Sequence, residues 1–228
     1  MAHTLMYRVY VWQIPVRLYH WVNALAVAVL CVTGYLIGNP VIHPALGEAS
    51  FNYTFGWVRF VHFAAAFVFF FNFLYRIYWG FAGNEYASWK HFFPWNRDLL
   101  FSQWKEAIAV FKADIFQSRL APVESIGHNA IAGWTYFLTF LAFLFQSVTG
   151  FGLYAAMSKS WLPQLFAWIV PLMGGDFAVR QWHHMAMWFF IIFSMIHVYL
   201  VFYHDYVEGR GVLSSMAGGW KFVERRRP

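Results

Sequence analysis

Four stretches of the chain are almost wholly apolar: residues 20–38, 56–80, 127–154 and 180–204. Each is long enough for a helix to cross ~30 Å of hydrocarbon. A fifth apolar stretch, residues 162–173, is short and holds Pro163 and Pro171, so it reads as a re-entrant or surface-lying piece. The connection between the second and third spans includes "NRDLLFSQWKEAIAVFKADIF". There Leu100, Trp104, Ile108, Phe111 and Ile115 recur at steps of four, four, three and four, with Lys105 and Lys112 off that stripe. Such spacing predicts an amphipathic helix on the inner membrane leaflet or against a partner. The pattern as a whole predicts an all-α membrane protein, a four-transmembrane-helix bundle forming one domain over residues 1–228.

Composition supports that class. The 228 residues are 61% apolar and only 11% charged, against about 25% charged in soluble domains. Thirteen Trp and thirteen Tyr suit the aromatic belts at the membrane surfaces. Twenty-seven Phe would serve equally well on lipid-facing helices or around a large flat cofactor. The formal charge of +6 has a topological reading, because no basic patch lies apart from a membrane flank, and nucleic acid is not an expected partner. Arg8 and Arg17 precede the first span, and Lys90, Arg97, Lys105, Lys112 and Arg119 fill the second connection. Arg210, Lys221, Arg225, Arg226 and Arg227 follow the last span, whereas the third connection has only Lys159 before Arg180. The positive-inside rule then puts both termini in the cytoplasm. No cleavable signal peptide is expected, since the first apolar run lacks a convincing small-residue cleavage site. Cys31 is the single cysteine, which excludes a disulfide framework, a thiolate iron–sulfur cluster and covalent haem attachment through C-x-x-C-H.

The histidines change the picture from a plain bundle to a cofactor protein. His20, His62, His128, His183, His184, His197 and His204 fall in or near the spans, where an imidazole is costly unless it binds something. Helical residues advance ~100° each, so positions fourteen apart return to within ~40° of one face. His183 and His197 are fourteen apart and share a face, whereas His184 and His197 point to nearly opposite sides. Depth pairs His62 with His183 near the outer surface and His20 with His197 near the inner one. Arg17, Arg59 and Arg180 each lie three residues before His20, His62 and His183. One turn apart, they can meet an anionic group on whatever the imidazole binds. Two imidazoles per site without carboxylates argue against zinc. They fit two non-covalent b-type haems with bis-histidine axial ligation, His62 with His183 and His20 with His197, and propionates near arginines. Arg76, fourteen after His62, is a further propionate candidate for the inner haem, and Gly34, fourteen after His20, offers room for a ring at the outer one. His184 and His204 read as interfacial, and His128 is the alternative inner ligand.

The blocks "RLYHWVNALAVAVLCVTGYLIG", "RFVHF", "RIYWGFAGNEYASW", "GHNAIAG", "VTGFGLY" and "HHMAMWFFIIFSMIHVYL" together resemble the cytochrome b subunit of membrane-bound nickel–iron hydrogenases. The histidine layout alone is shared with formate dehydrogenase membrane subunits and other two-haem cytochromes b. The resemblance implies a subunit of the bacterial inner membrane that takes electrons from the iron–sulfur small subunit of a periplasmic hydrogenase and passes them to quinone. It also implies contact with that small subunit's C-terminal membrane helix, in a complex that includes the large subunit. Asn129 resembles an asparagine that helps to bind a quinone analogue in formate dehydrogenase membrane subunits, and His128 and Asn129 are the quinone-site candidates. Two other readings stay open: a membrane cytochrome b serving another oxidoreductase or working alone on quinol, and a haem-free transporter with relay histidines.

Overall fold

The computed structural model of the chain describes residues 6–40, 53–89, 104, 105, 108 and 130–224. In chain order the elements are β1 (Met6–Tyr10), α1 (Ile14–Gly38), α2 (Thr54–Ala82), α3 (Ala130–Ala155), α4 (Trp161–Gln164), α5 (Ile169–Leu172), α6 (Asp176–Glu208), α7 (Val212–Gly218) and β2 (Trp220–Glu224). Four of these helices, α1, α2, α3 and α6, are long and apolar enough to cross a membrane. Most of them run past the apolar stretches. α1 starts at Ile14, with Pro15 in its first turn, where the missing N–H costs nothing. α6 starts at Asp176, whose carboxylate suits the positive end of the helix. The apolar stretch 162–173 holds two short helices, α4 and α5. Of the expected amphipathic helix only Trp104, Lys105 and Ile108 lie within the described residues, and His128 and Asn129 lie outside them.

The chain divides into two compact units. The first comprises the described parts of 1–19, 75–141 and 198–228. In it β1 pairs antiparallel with β2, with Met6 opposite Glu224 and Tyr10 opposite Trp220. The hydrophobic pattern does not predict these strands, although "MYRVY" and "WKFVE" carry the β-branched and aromatic residues strands favour. Gly219 ends α7 at φ 89°, the left-handed cap conformation that favours glycine. Its carbonyl accepts from the backbone N–H of Val11 and of Trp12. Trp12 Nε1 donates to Ser215 Oγ at 3.1 Å, and Arg17 donates to the carbonyl of Ala217. The "GNEY" turn after α2 is fastened to the same arm. Asn84 Nδ2 donates to the Val11 carbonyl at 3.0 Å, and Gln13 Oε1 accepts from Trp79 Nε1 and from the Asn84 backbone.

The second unit comprises the described parts of 20–74 and 142–197, and phenylalanine fills much of its interior. Phe70, Phe151 and Leu162 form a buried cluster, with Phe67 and Phe166 against it. Gly152 lets α5 approach α3, because a Cβ there would run into Ile169. Phe143 stacks on Phe190 with centroids 5.3 Å apart and meets Phe69 edge-on. Leu162, Pro163 and Ile169 are the buried side of α4 and α5, so this segment is docked on aromatic side chains.

Two glycines of α2 give a paired test of packing. A Cβ on Gly80 would strike the indole of Trp89, while one on Gly56 meets nothing within 4 Å. Gly80→Ala should destabilise the solubilised protein by about 1–3 kcal/mol through overpacking. Gly56→Ala should melt at or above the unmodified temperature. Equal melting temperatures for the two variants would contradict the close approach at Gly80.

Candidate functional site

The second unit contains two pairs of imidazoles held in different ways. His62 stands on α2 beside α1, and its Nδ1 is 2.8 Å from Thr33 Oγ1. That hydroxyl donates to the carbonyl of Val29, 2.7 Å away and four residues back. A threonine hydroxyl has one hydrogen. Given to Val29, that hydrogen leaves Oγ1 to accept from Nδ1–H of His62, which is the tautomer with the lone pair on Nε2. His183 on α6 repeats the arrangement against α3. Its Nδ1 is 2.8 Å from Thr149 Oγ1, and Thr149 donates to the carbonyl of Phe145 at 2.7 Å. The same tautomer follows, with the lone pair on Nε2. Gln146 Nε2 donates to the His183 carbonyl at 3.2 Å and further fixes α6 to α3.

Each of these threonines is followed by a glycine on which the same imidazole rests. A Cβ on Gly34 would come within 3.3 Å of His62 Cε1, and one on Gly150 within 3.1 Å of His183 Cε1. His62 and His183 line one cavity of about 720 Å³, within the range of small-molecule and cofactor pockets. Phe63, Phe67 and Phe190 contribute aromatic wall. Arg59 and Arg180 also border it. Arg59 reaches Met157 Sδ at 2.7 Å, and Arg180 pairs with Asp176 at 2.6 Å on the exposed side. Both guanidiniums therefore stand at the cavity with donors beyond those contacts.

The second pair is His20 of α1 and His197 of α6, whose ring centroids are 6.2 Å apart. Two imidazoles bound to one metal ion from opposite sides, with metal–nitrogen distances near ~2.0 Å, keep their centroids about 6 Å apart. His20 Nδ1 is buried and has no hydrogen-bond partner among the described residues. His197 stacks on Phe193.

The other candidates divide between these places and elsewhere. His184 lines the same cavity as His183, but its ring lies against Gly38, where a Cβ would be 2.7 Å from His184 Cε1. His204 meets Tyr203 edge-on. Arg17 is bound to the Ala217 carbonyl in the first unit. Arg76, also in the first unit, is 3% exposed and donates to the Ala87 carbonyl at 3.0 Å. Its guanidinium lies over Trp89 and Tyr136, 5.0 Å from each ring centroid. Among the described residues no three His, Cys, Asp or Glu side chains come together as a metal site. Sequence reasoning missed Thr33 and Thr149. The signal was there as a repeat, "VTGY" at 32–35 and "VTGF" at 148–151.

Residues 11–219 match the family described as prokaryotic cytochrome b561. A "Probable Ni/Fe-hydrogenase B-type cytochrome subunit" from Azotobacter chroococcum mcd 1 is 42% identical over 224 residues, 96% of this chain and 91% of that protein. Its namesake from Cupriavidus necator is 40% identical, over 93% of this chain and 86% of its own. The "Probable Ni/Fe-hydrogenase 1 B-type cytochrome subunit" of Escherichia coli (strain K12) is 35% identical, over 93% of this chain and 90% of its own. With a four-helix apolar architecture and a match spanning most of its length, the chain belongs to the prokaryotic cytochrome b561 family.

Proposed function

We propose that this chain is the two-haem cytochrome b of a nickel–iron hydrogenase complex in the bacterial cytoplasmic membrane, carrying electrons from the hydrogenase small subunit to quinone. The observation that carries the reading is the pair of imidazole pairs. The rings of His20 and His197 are 6.2 Å apart, a separation that one metal ion between them would fit, and His62 and His183 line one cavity, each with Nδ1 beside a threonine hydroxyl. Haem b, when bound, supplies one-electron transfer without covalent chemistry on the protein.

The rest is the work of this chain. His62 with His183, and His20 with His197, are the pairs that would hold the two haem irons, and with two imidazoles for each iron oxygen binding would not be expected. Arg59 and Arg180 would meet the propionates of the outer haem, as cations that also reach the membrane surface. Arg17 and Arg76 hold backbone carbonyls, and for them the propionate role at the inner haem requires donors beyond those bonds. Phenylalanine side chains exclude water from the outer cavity. His128 and Asn129 are the groups that would hydrogen-bond the quinone carbonyls beside the inner haem and hand on protons. The partners are the hydrogenase small subunit through its C-terminal membrane helix, the large subunit within the complex, and the lipid around the bundle. Hydrogen oxidation itself belongs to the partner subunits, and both termini of this chain lie in the cytoplasm. The relatives named as hydrogenase cytochrome subunits favour this complex over a formate dehydrogenase type or a stand-alone quinol-oxidising cytochrome.

Two experiments test the reading. Haem content per protein, measured on the purified chain, should fall from two to one in His183→Ala and stay at two in His184→Ala. The reverse outcome would defeat the ligand assignment. Asn129→Ala should slow quinone reduction by roughly tenfold or more in the hydrogenase complex while both haems remain reducible by hydrogen. Unchanged quinone reduction would remove Asn129 from the site.

A further inference from the structure

The outer histidines are held by a device that occurs twice and that, among the described residues, His20 of the inner pair does not share. "Val32-Thr33-Gly34" on α1 and "Val148-Thr149-Gly150" on α3 are the same tripeptide, and each serves the histidine of the helix that follows it in the bundle. In both copies the threonine hydroxyl gives its hydrogen to the carbonyl four residues back and accepts Nδ1–H of the imidazole at 2.8 Å. In both, the glycine lets that imidazole lie against the backbone. Thr149 is fully buried and Thr33 nearly so, at 0% and 8% exposure, so water does not compete for either bond. His20, in contrast, has a buried Nδ1 without such an acceptor among the described residues.

We propose that Thr33 and Thr149 are positioning residues that fix the tautomer of His62 and His183 and hold the reduction potential of the outer haem down. The inference rests on the ligand assignment above. A hydroxyl already donating to a carbonyl is polarised into a better acceptor. Accepting Nδ1–H from the imidazole makes Nε2 more basic, and a more basic axial ligand favours the ferric over the ferrous state. Two clamps act on the outer haem in the same direction. At the inner pair His20 Nδ1 has no such acceptor among the described residues, so the proposal concerns the outer haem alone.

The test is an optical redox titration of the haems in membranes that contain the full-length chain. Thr33→Val and Thr149→Val keep the side-chain shape and remove the acceptor. Each should raise the midpoint of the haem that His183→Ala abolishes, by the ~59 mV that corresponds to a tenfold change for one electron, and leave the other haem unmoved. Thr33→Ser and Thr149→Ser retain the hydroxyl and should titrate as the unmodified chain does. Valine variants with both midpoints unchanged would overturn the proposal, as would a shift confined to the other haem or shared equally by the serine variants. If valine expels the outer haem, its retention with serine supports the clamp and its loss with serine overturns it. Failure of the ligand assignment is seen separately, as His183→Ala that still holds both haems, and it removes the clamp as well.

Discussion

The constraint on which this structure turns is that an imidazole inside a membrane is costly unless its ring nitrogens have partners, because no water is there to supply them. For His62 and His183 the protein supplies half of that requirement, a threonine oxygen on Nδ1. The other nitrogen is thereby left as a lone pair, which is the form in which imidazole binds metals. The same constraint explains the threonines' back-bond. A buried hydroxyl without an acceptor is costly, and the helix carbonyl four residues earlier is the nearest one.

Close backbone approach follows from that need. Each histidine reaches its threonine on the next helix beside a position without a side chain, Gly34 for His62 and Gly150 for His183, where a Cβ would sit tightly against the ring. Gly38 does the same for His184, which explains why two adjacent histidines both fit beside one cavity while only His183 has a threonine on Nδ1. Aromatic packing around Phe70, Phe143 and Phe151 sets the distance between helices without introducing polar groups that would need partners of their own.

Much of this is written in the sequence, in the signals that periodicity can carry. The four spans follow from apolar run length, and the adjacency of His20 and His197 agrees with the depth at which each lies in its helix. Gly34 at the level of His62 follows from a fourteen-residue step. What periodicity does not carry is contact between distant segments. The pairing of β1 with β2 joins the two ends of the described chain, and neither strand has a buried face to mark it in the pattern. Arg76 shares a helical face with His62, but its partners, Trp89, Tyr136 and the Ala87 carbonyl, depend on how the chain turns after α2. Asn84 in "YWGFAGNEY" looks like a family word, and its physical reason is the bond to the Val11 carbonyl. The two "VTG" copies were readable only as a repeat, and a threonine in an apolar helix usually bonds its own backbone, as these also do.

The central claim, two six-coordinate haem irons each between two imidazoles, is open to one direct measurement. Electron paramagnetic resonance of the purified, oxidised chain should give two ferric low-spin signals and no high-spin signal, because both axial positions of each iron are filled by nitrogen. A high-spin ferric signal at stoichiometric intensity, or a single low-spin species accounting for all the iron, would contradict the account.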